Sequence, residues 1–116
     1  MTNKSDCIFC SICCGDINTD ILFQNENYFI IRDINPQATL HLLIIPRKHV
    51  LQLSTDDKAT SKLLGEMVSL AANMASKESV AETGYRIVIN QGHNAGQTVD
   101  HLHMHLLGGT ELASLG

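Results

Sequence analysis

A chain of 116 residues with 44% hydrophobic side chains has enough apolar surface for one compact domain, 1–116, and no apolar run of the length that spans a bilayer. Eight lysines and arginines stand against twelve acidic residues, a net charge of -4 without a basic stripe, which argues against a polynucleotide or membrane partner. One small phosphate is still within reach, because backbone amides and neutral histidines can hold it without a basic surface.

The segment Met1-Thr2-Asn3-Lys4-Ser5-Asp6 lacks the apolar core and cleavage site of a signal peptide, so a cytoplasmic location is the default expectation. Cys7, Cys10, Cys13 and Cys14 crowd together and leave nothing distant for a disulfide to staple, which points to metal binding or free thiols. Residues Asp6 to Gly15 read as a short helical turn, with Asp6 as cap and Gly15 as stop. Cys7-x-x-Cys10 is half of a zinc spacing, for which His49 and His101 are the candidate remaining ligands. The alternative is a pair of reduced, partly buried cysteines.

Ile21-Leu22-Phe23-Gln24 and Tyr28-Phe29-Ile30-Ile31-Arg32 are β-branched and aromatic runs separated by Asn25-Glu26-Asn27, the pattern of an antiparallel hairpin. Asp33-Ile34-Asn35-Pro36-Gln37-Ala38 reads as a loop, since Pro36 excludes a central strand position. Leu40-His41-Leu42-Leu43-Ile44-Ile45, ending at Pro46, predicts a buried central strand in which His41 is anomalous. It is either a core histidine bonded to backbone or a fourth functional imidazole.

Ser54-Thr55-Asp56-Asp57 predicts a helix start, with acidic groups at the positive end of the dipole. Leu63, Leu64, Met67, Leu70, Ala71 and Met74 then recur at three- and four-residue spacing, the core stripe of one long helix ending before Gly84. Tyr85-Arg86-Ile87-Val88-Ile89-Asn90 is a fourth strand. Gln91-Gly92-His93-Asn94-Ala95-Gly96-Gln97 follows as a loop whose glycines would let consecutive amides face one anion, with Thr98 adding a hydroxyl.

The fifth predicted strand, His101-Leu102-His103-Met104-His105-Leu106-Leu107, places three imidazoles on one face and Leu102, Met104 and Leu106 on the other. Buried imidazoles need partners at both ring nitrogens, so three in register require a reason. Three readings compete: a nucleophile with its supports, a metal site, or a hydrated edge strand without a role. The order β-β-β-α-β-β is an α+β layout, an antiparallel five-stranded sheet with one long helix.

With these segments in place the chain resembles the histidine triad family, and within it the histidine triad nucleotide-binding proteins. The resemblance rests on His101 to Leu107 and extends to Cys7-Ile8-Phe9-Cys10, Asp33 to Ala38, Ile45-Pro46-Arg47-Lys48-His49, Tyr85 to Asn90 and Gly96-Gln97-Thr98-Val99. It implies a homodimer whose subunits join their sheets, each with a pocket for a purine nucleoside monophosphate. It further implies hydrolysis of purine nucleoside phosphoramidates and related adenylates through a covalent nucleotidyl-histidine, releasing AMP or GMP. Carried over by position, His103 is the nucleophile, Asp33 with Ile34 holds the ribose, and Asn90, Gly96, Gln97, Thr98 and His105 surround the phosphate.

Neutral imidazole is a competent nucleophile near pH 7, and a covalent intermediate divides one hard displacement into two easier ones. A neighbouring carbonyl or imidazole must fix its tautomer, a role expected of His101 and His41. His105 and Thr98 are expected to bond the phosphoryl oxygens and help protonate the leaving group. Catalysis requires no cofactor, and zinc on Cys7, Cys10, His49 and His101 would be structural. Two rivals remain: a non-catalytic purine nucleotide-binding or scaffold protein, and a metallohydrolase using His101, His103 and His105 as ligands. Thr98 stands where many relatives have serine, Asp100 precedes the triad, and the tail from Gly108 lacks the tryptophan of some relatives, so leaving-group preference does not transfer.

Overall fold

The computed structural model describes residues 7–53 and 57–115. The described elements run α1 (Ile8–Cys13), β1 (Ile21–Gln24), β2 (Tyr28–Arg32), β3 (Leu40–Pro46), α2 (Lys58–Lys77), β4 (Tyr85–Val88) and β5 (Met104–Gly108), with a 3₁₀ turn at His93–Ala95. All strand pairs are antiparallel, in the order β1-β2-β3-β5-β4. This is the expected α+β architecture, with β3 at the centre and every one of its residues buried.

The hairpin between β1 and β2 closes because Asn25 Oδ1 accepts the backbone N–H of Asn27 and Tyr28, at 2.9 and 2.8 Å. This is the local bonding that favours asparagine in turns. The sheet's two faces then follow from the two-residue period. Leu40, Leu42 and Ile44 of β3, with Leu102, Met104 and Leu106, meet Met67, Ala71, Met74 and Ala75 of α2. Phe29, Ile31, Leu43 and Ile45 pack on the opposite side against Cys7, Phe9 and Ile12 of the α1 segment. His41 belongs to that second face, between Leu40 and Leu42, so its place in an apolar strand is the pleat's alternation and not an irregularity.

Several boundaries differ from the sequence expectation. The cap of α1 is Cys7, whose Sγ accepts the Cys10 N–H, while Asp6 lies outside the described residues. Asp57 caps α2 through Ala59 N–H at 2.9 Å, and Ser54 to Asp56 also lie outside the described residues. Strand β4 stops at Val88 rather than Asn90. Strand β5 begins at Met104 rather than His101, because Leu102 N–H bonds to the Val50 carbonyl at 2.7 Å and His101 N–H to that of Val99 at 2.9 Å. The chain approaching β5 is thus tied to the segment leaving β3, and the alternation of faces continues through it.

Candidate active site

A cleft of about 420 Å³ opens on the α1 face. Seven of the expected site residues line it: Asp33, Ile34, Asn90, Gly96, Thr98, His103 and His105. Its volume is in the range that receives a small molecule. Three expected residues do not line it. Gln97 turns into the loop, where its Oε1 accepts Gly92 N–H at 2.7 Å and its Nε2 donates to the Val99 carbonyl at 3.1 Å. His101 and His41 sit buried behind the wall.

The side chains in that wall are held by a chain of hydrogen bonds that fixes each tautomer. His103 Nδ1 lies 2.7 Å from the carbonyl oxygen of His101. A carbonyl only accepts, so Nδ1 carries the proton and Nε2 keeps its lone pair. His41 Nδ1 receives the backbone N–H of Gln37 at 3.0 Å, so in the neutral ring Nε2 carries the proton. That Nε2 lies 2.8 Å from His105 Nδ1, which must accept, leaving His105 with its proton on Nε2. Two neighbouring rings, with centroids 5.1 Å apart, therefore have opposite polarity: His103 offers a lone pair and His105 an N–H.

Electrostatics maintain this arrangement. Burial pushes His105 down to about 4, His103 and His41 adding to the effect and the Asp33 carboxylate opposing it. Burial also lowers His41, again against Asp33. Both imidazoles are neutral near pH 7. His41 consequently serves His105 rather than His103, and His103 is oriented by a peptide carbonyl.

The remaining triad ring, on the same face, is turned away from the cleft toward the cysteines of the α1 segment. His101 Nε2 donates to the Pro46 carbonyl at 2.8 Å, which leaves Nδ1 unprotonated. Nδ1 lies 3.3 Å from Cys7 Sγ, 3.7 Å from Cys10 Sγ and 3.2 Å from His49 Nδ1, and Cys10 Sγ is 3.1 Å from His49 Nδ1. All four donor atoms fall within 4.8 Å of one another. Ligand atoms around tetrahedral zinc are about 3.3 to 3.8 Å apart, given bonds of about 2.0 Å to nitrogen and 2.3 Å to sulfur. The residues fit that ion. Burial pushes His101 down to about 4, so the ring is neutral as a ligand must be. Asp33, His41 and His105 also converge, but the 2.8 Å separation of the two rings is a hydrogen bond, narrower than the edge of a metal polyhedron. The rings of His101, His103 and His105 do not share one point, which leaves the metallohydrolase reading without a site among the described residues.

Two features were not foreseen. Phe9 and Ile12 of α1 form an apolar wall of the cleft, and the Phe9 ring meets both His101 and His103 edge-on, with centroids at 5.6 and 5.1 Å. The apolar spacing Ile8, Phe9, Ile12 was the available signal, overshadowed by the cysteines. The expectation of a seat built from loop amides is corrected: Ala95 and Gln97 N–H bond to the Gly92 carbonyl, and Gly96 N–H to that of His93. The 3₁₀ turn closes on itself, with Gly92 and Gly96 at φ of 88° and 83°. What the loop presents to the cleft is Asn90, Thr98 and the bare surface of Gly96.

Comparison with known proteins agrees with this geometry. Residues 15–112 match the HIT domain family model. A purine nucleoside phosphoramidase of Escherichia coli (strain K12) is 40% identical over 108 residues, 93% of this chain and 91% of that protein. A HIT family hydrolase from Legionella pneumophila Philadelphia 1 superposes with a TM-score of 0.88 at 41% identity, over 92% of this chain and 96% of the other. A Zn-bound histidine triad family protein from Mycobacterium smegmatis gives 0.79 at 30% identity, over 96% and 82%. The chain belongs to the HIT domain family.

Proposed function

We propose that this protein is a hydrolase of purine nucleoside phosphoramidates and related adenylates, working through a nucleotide bound covalently to His103 and releasing AMP or GMP. The observation that carries the reading is the opposite polarity of His103 and His105 at one cleft wall. The phosphoramidase name of the Escherichia coli relative supports the substrate class.

His103 Nε2 attacks phosphorus as the phosphorus–nitrogen bond breaks, and the leaving amine takes a proton from solvent. The phosphorylated ring is an imidazolium that keeps its proton on Nδ1 and donates it in a hydrogen bond to the His101 carbonyl. Water then attacks phosphorus and releases one proton to solvent, the bond to Nε2 breaks with its electron pair returning to the ring, and His103 regains its starting tautomer. His105 gives the phosphoryl oxygen a hydrogen bond and keeps its proton. Loss of that proton would leave an imidazolate, and a second proton on Nδ1 would meet the N–H of His41. Thr98 and Asn90 supply further polar contacts, Asp33 and Ile34 meet the ribose, and Phe9 and Ile12 give the base an apolar surface.

Cys7, Cys10, His49 and His101 would hold zinc, which when bound cross-links α1 to the end of β3 and to the triad. Two copies would pair through β4, whose outer edge lies at the end of the sheet order. No helix among the described residues is long and apolar enough to cross a membrane.

The test is incubation with adenosine 5′-phosphoramidate. AMP release, with an adenylated His103 trapped in the mass spectrum, is the expected result. Full turnover by His103→Ala sinks the mechanism. Tight AMP binding without cleavage of any phosphoramidate favours a binding or scaffold protein.

A further inference from the structure

We infer that Asp33 is a positioning residue through which ribose recognition sets the strength of the hydrogen bond that His105 receives from His41. The inference rests on the nucleotide reading of the cleft and adds a coupling to it.

Asp33 follows β2 directly, and its N–H bonds to the His41 carbonyl at 3.0 Å, so the backbone delivers its side chain beside the His41 ring. One carboxylate oxygen, Oδ1, is committed to the Asn35 N–H at 2.8 Å. The other, Oδ2, lies 3.4 Å from His41 Nε2. The same Nε2 is 2.8 Å from His105 Nδ1. His41 has a single proton to give there, since Gln37 N–H occupies its other nitrogen. Asp33 and His105 therefore compete for one N–H, with His105 closer.

The competition has an exposed side. Asp33 lines the cleft while His41 is buried with only 6% of its surface exposed. A ribose hydroxyl entering the cleft can reach Asp33 and not His41. A hydroxyl that donates to Oδ2 uses acceptor capacity the carboxylate had turned toward His41. The His41 N–H then belongs to His105 alone. A stronger bond at Nδ1 polarises the imidazole and makes its Nε2–H a better donor to the phosphoryl oxygen, by the mutual strengthening of linked hydrogen bonds. Recognition of the sugar is thus transmitted to the reacting phosphorus through two side chains, and a substrate without the hydroxyls loses rate as well as affinity.

The coupling is readable without turnover. Uniformly ¹⁵N-labelled protein is titrated to saturation with adenosine and with 2′,3′-dideoxyadenosine, neither of which carries a phosphate, and the ring signals of His41 and His105 are followed. The expected result is a downfield shift of the His41 Nε2 proton and a matching shift of His105 Nδ1 with adenosine, absent with the dideoxynucleoside. Asp33→Asn should abolish the difference. In kinetics the dideoxy phosphoramidate should lose about tenfold in kcat beyond its rise in KM, less than deletion of a phosphoryl donor would remove. If both nucleosides bind and move these signals equally, or move neither, the coupling is wrong while the nucleotide reading stands. If neither nucleoside binds, the sugar contact and with it the coupling are overturned, and AMP release from the phosphoramidate decides the nucleotide reading separately.

Discussion

His101 is joined to His103 by its backbone and to the cysteines by its side chain: its carbonyl oxygen lies 2.7 Å from His103 Nδ1, while its own Nδ1 lies 3.3 Å from Cys7 Sγ. Whatever holds the His101 ring also holds the peptide that fixes the tautomer of the proposed nucleophile. The cysteine-histidine set and the cleft are therefore one construction, with Phe9 of α1 packed on both rings.

Metal removal should accordingly affect both stability and catalysis. Stripping zinc with a chelator, or making Cys7→Ser with Cys10→Ser, should lower the melting temperature by about 10–20 °C, the shift that loss of a cross-link worth roughly 2–5 kcal/mol gives a domain of this size. Phosphoramidase kcat should fall with it while the chain stays folded. Calorimetry and metal analysis of the purified protein check this. A chelated protein with unchanged melting and full kcat would assign the cysteines no such role.

The roles proposed for His103 and His105 separate by substitution. His103→Ala should reduce kcat by more than about 10³-fold, since the other imidazole lining the cleft among the described residues, His105, has its lone pair engaged by His41. His105→Ala should lose about 10²-fold, the scale of one donor to a developing oxyanion. His105→Asn should recover part of that loss, because an amide N–H can donate without titrating. Equal rates for the Ala and Asn variants would show that donation is not the function of residue 105.

Much of this was legible in the sequence because the strand period is simple. The alternation from His101 to Leu107 assigned each side chain to the correct face even though the ladder begins only at Met104. The long helix was legible for the same reason, from the spacing of its apolar residues, whereas of the cysteine-histidine set only Cys7-x-x-Cys10 rests on spacing and the two histidines lie far off in the chain. The pairing of His41 with His105 was not. It depends on the register of β3 against β5, in which His41 stands opposite Leu107 and Leu43 opposite His105. No local pattern encodes that register. The apolar wall from α1 escaped notice because six residues give too short a period to read, and the loop amides were misassigned because glycine spacing shows permission for a turn and not where its N–H groups point.

The fold should also weaken in acid by a titration that the burial of His105 dictates. Its folded value is about 4 against an ordinary 6.5, so between these values the unfolded chain binds the proton more tightly. Stability attributable to this group is fully present above pH 6.5 and is lost as pH falls from there through about 4. The slope for one such group is at most about 1.4 kcal/mol per pH unit. Urea unfolding at pH 7, 5.5 and 4.5, at one fixed protein concentration, should give a midpoint that falls with pH. His105→Asn should flatten the curve while keeping a polar partner for His41. A mutant whose pH dependence matches the wild type would mean that the acid sensitivity comes from other groups, and that His105 is not held neutral by its surroundings.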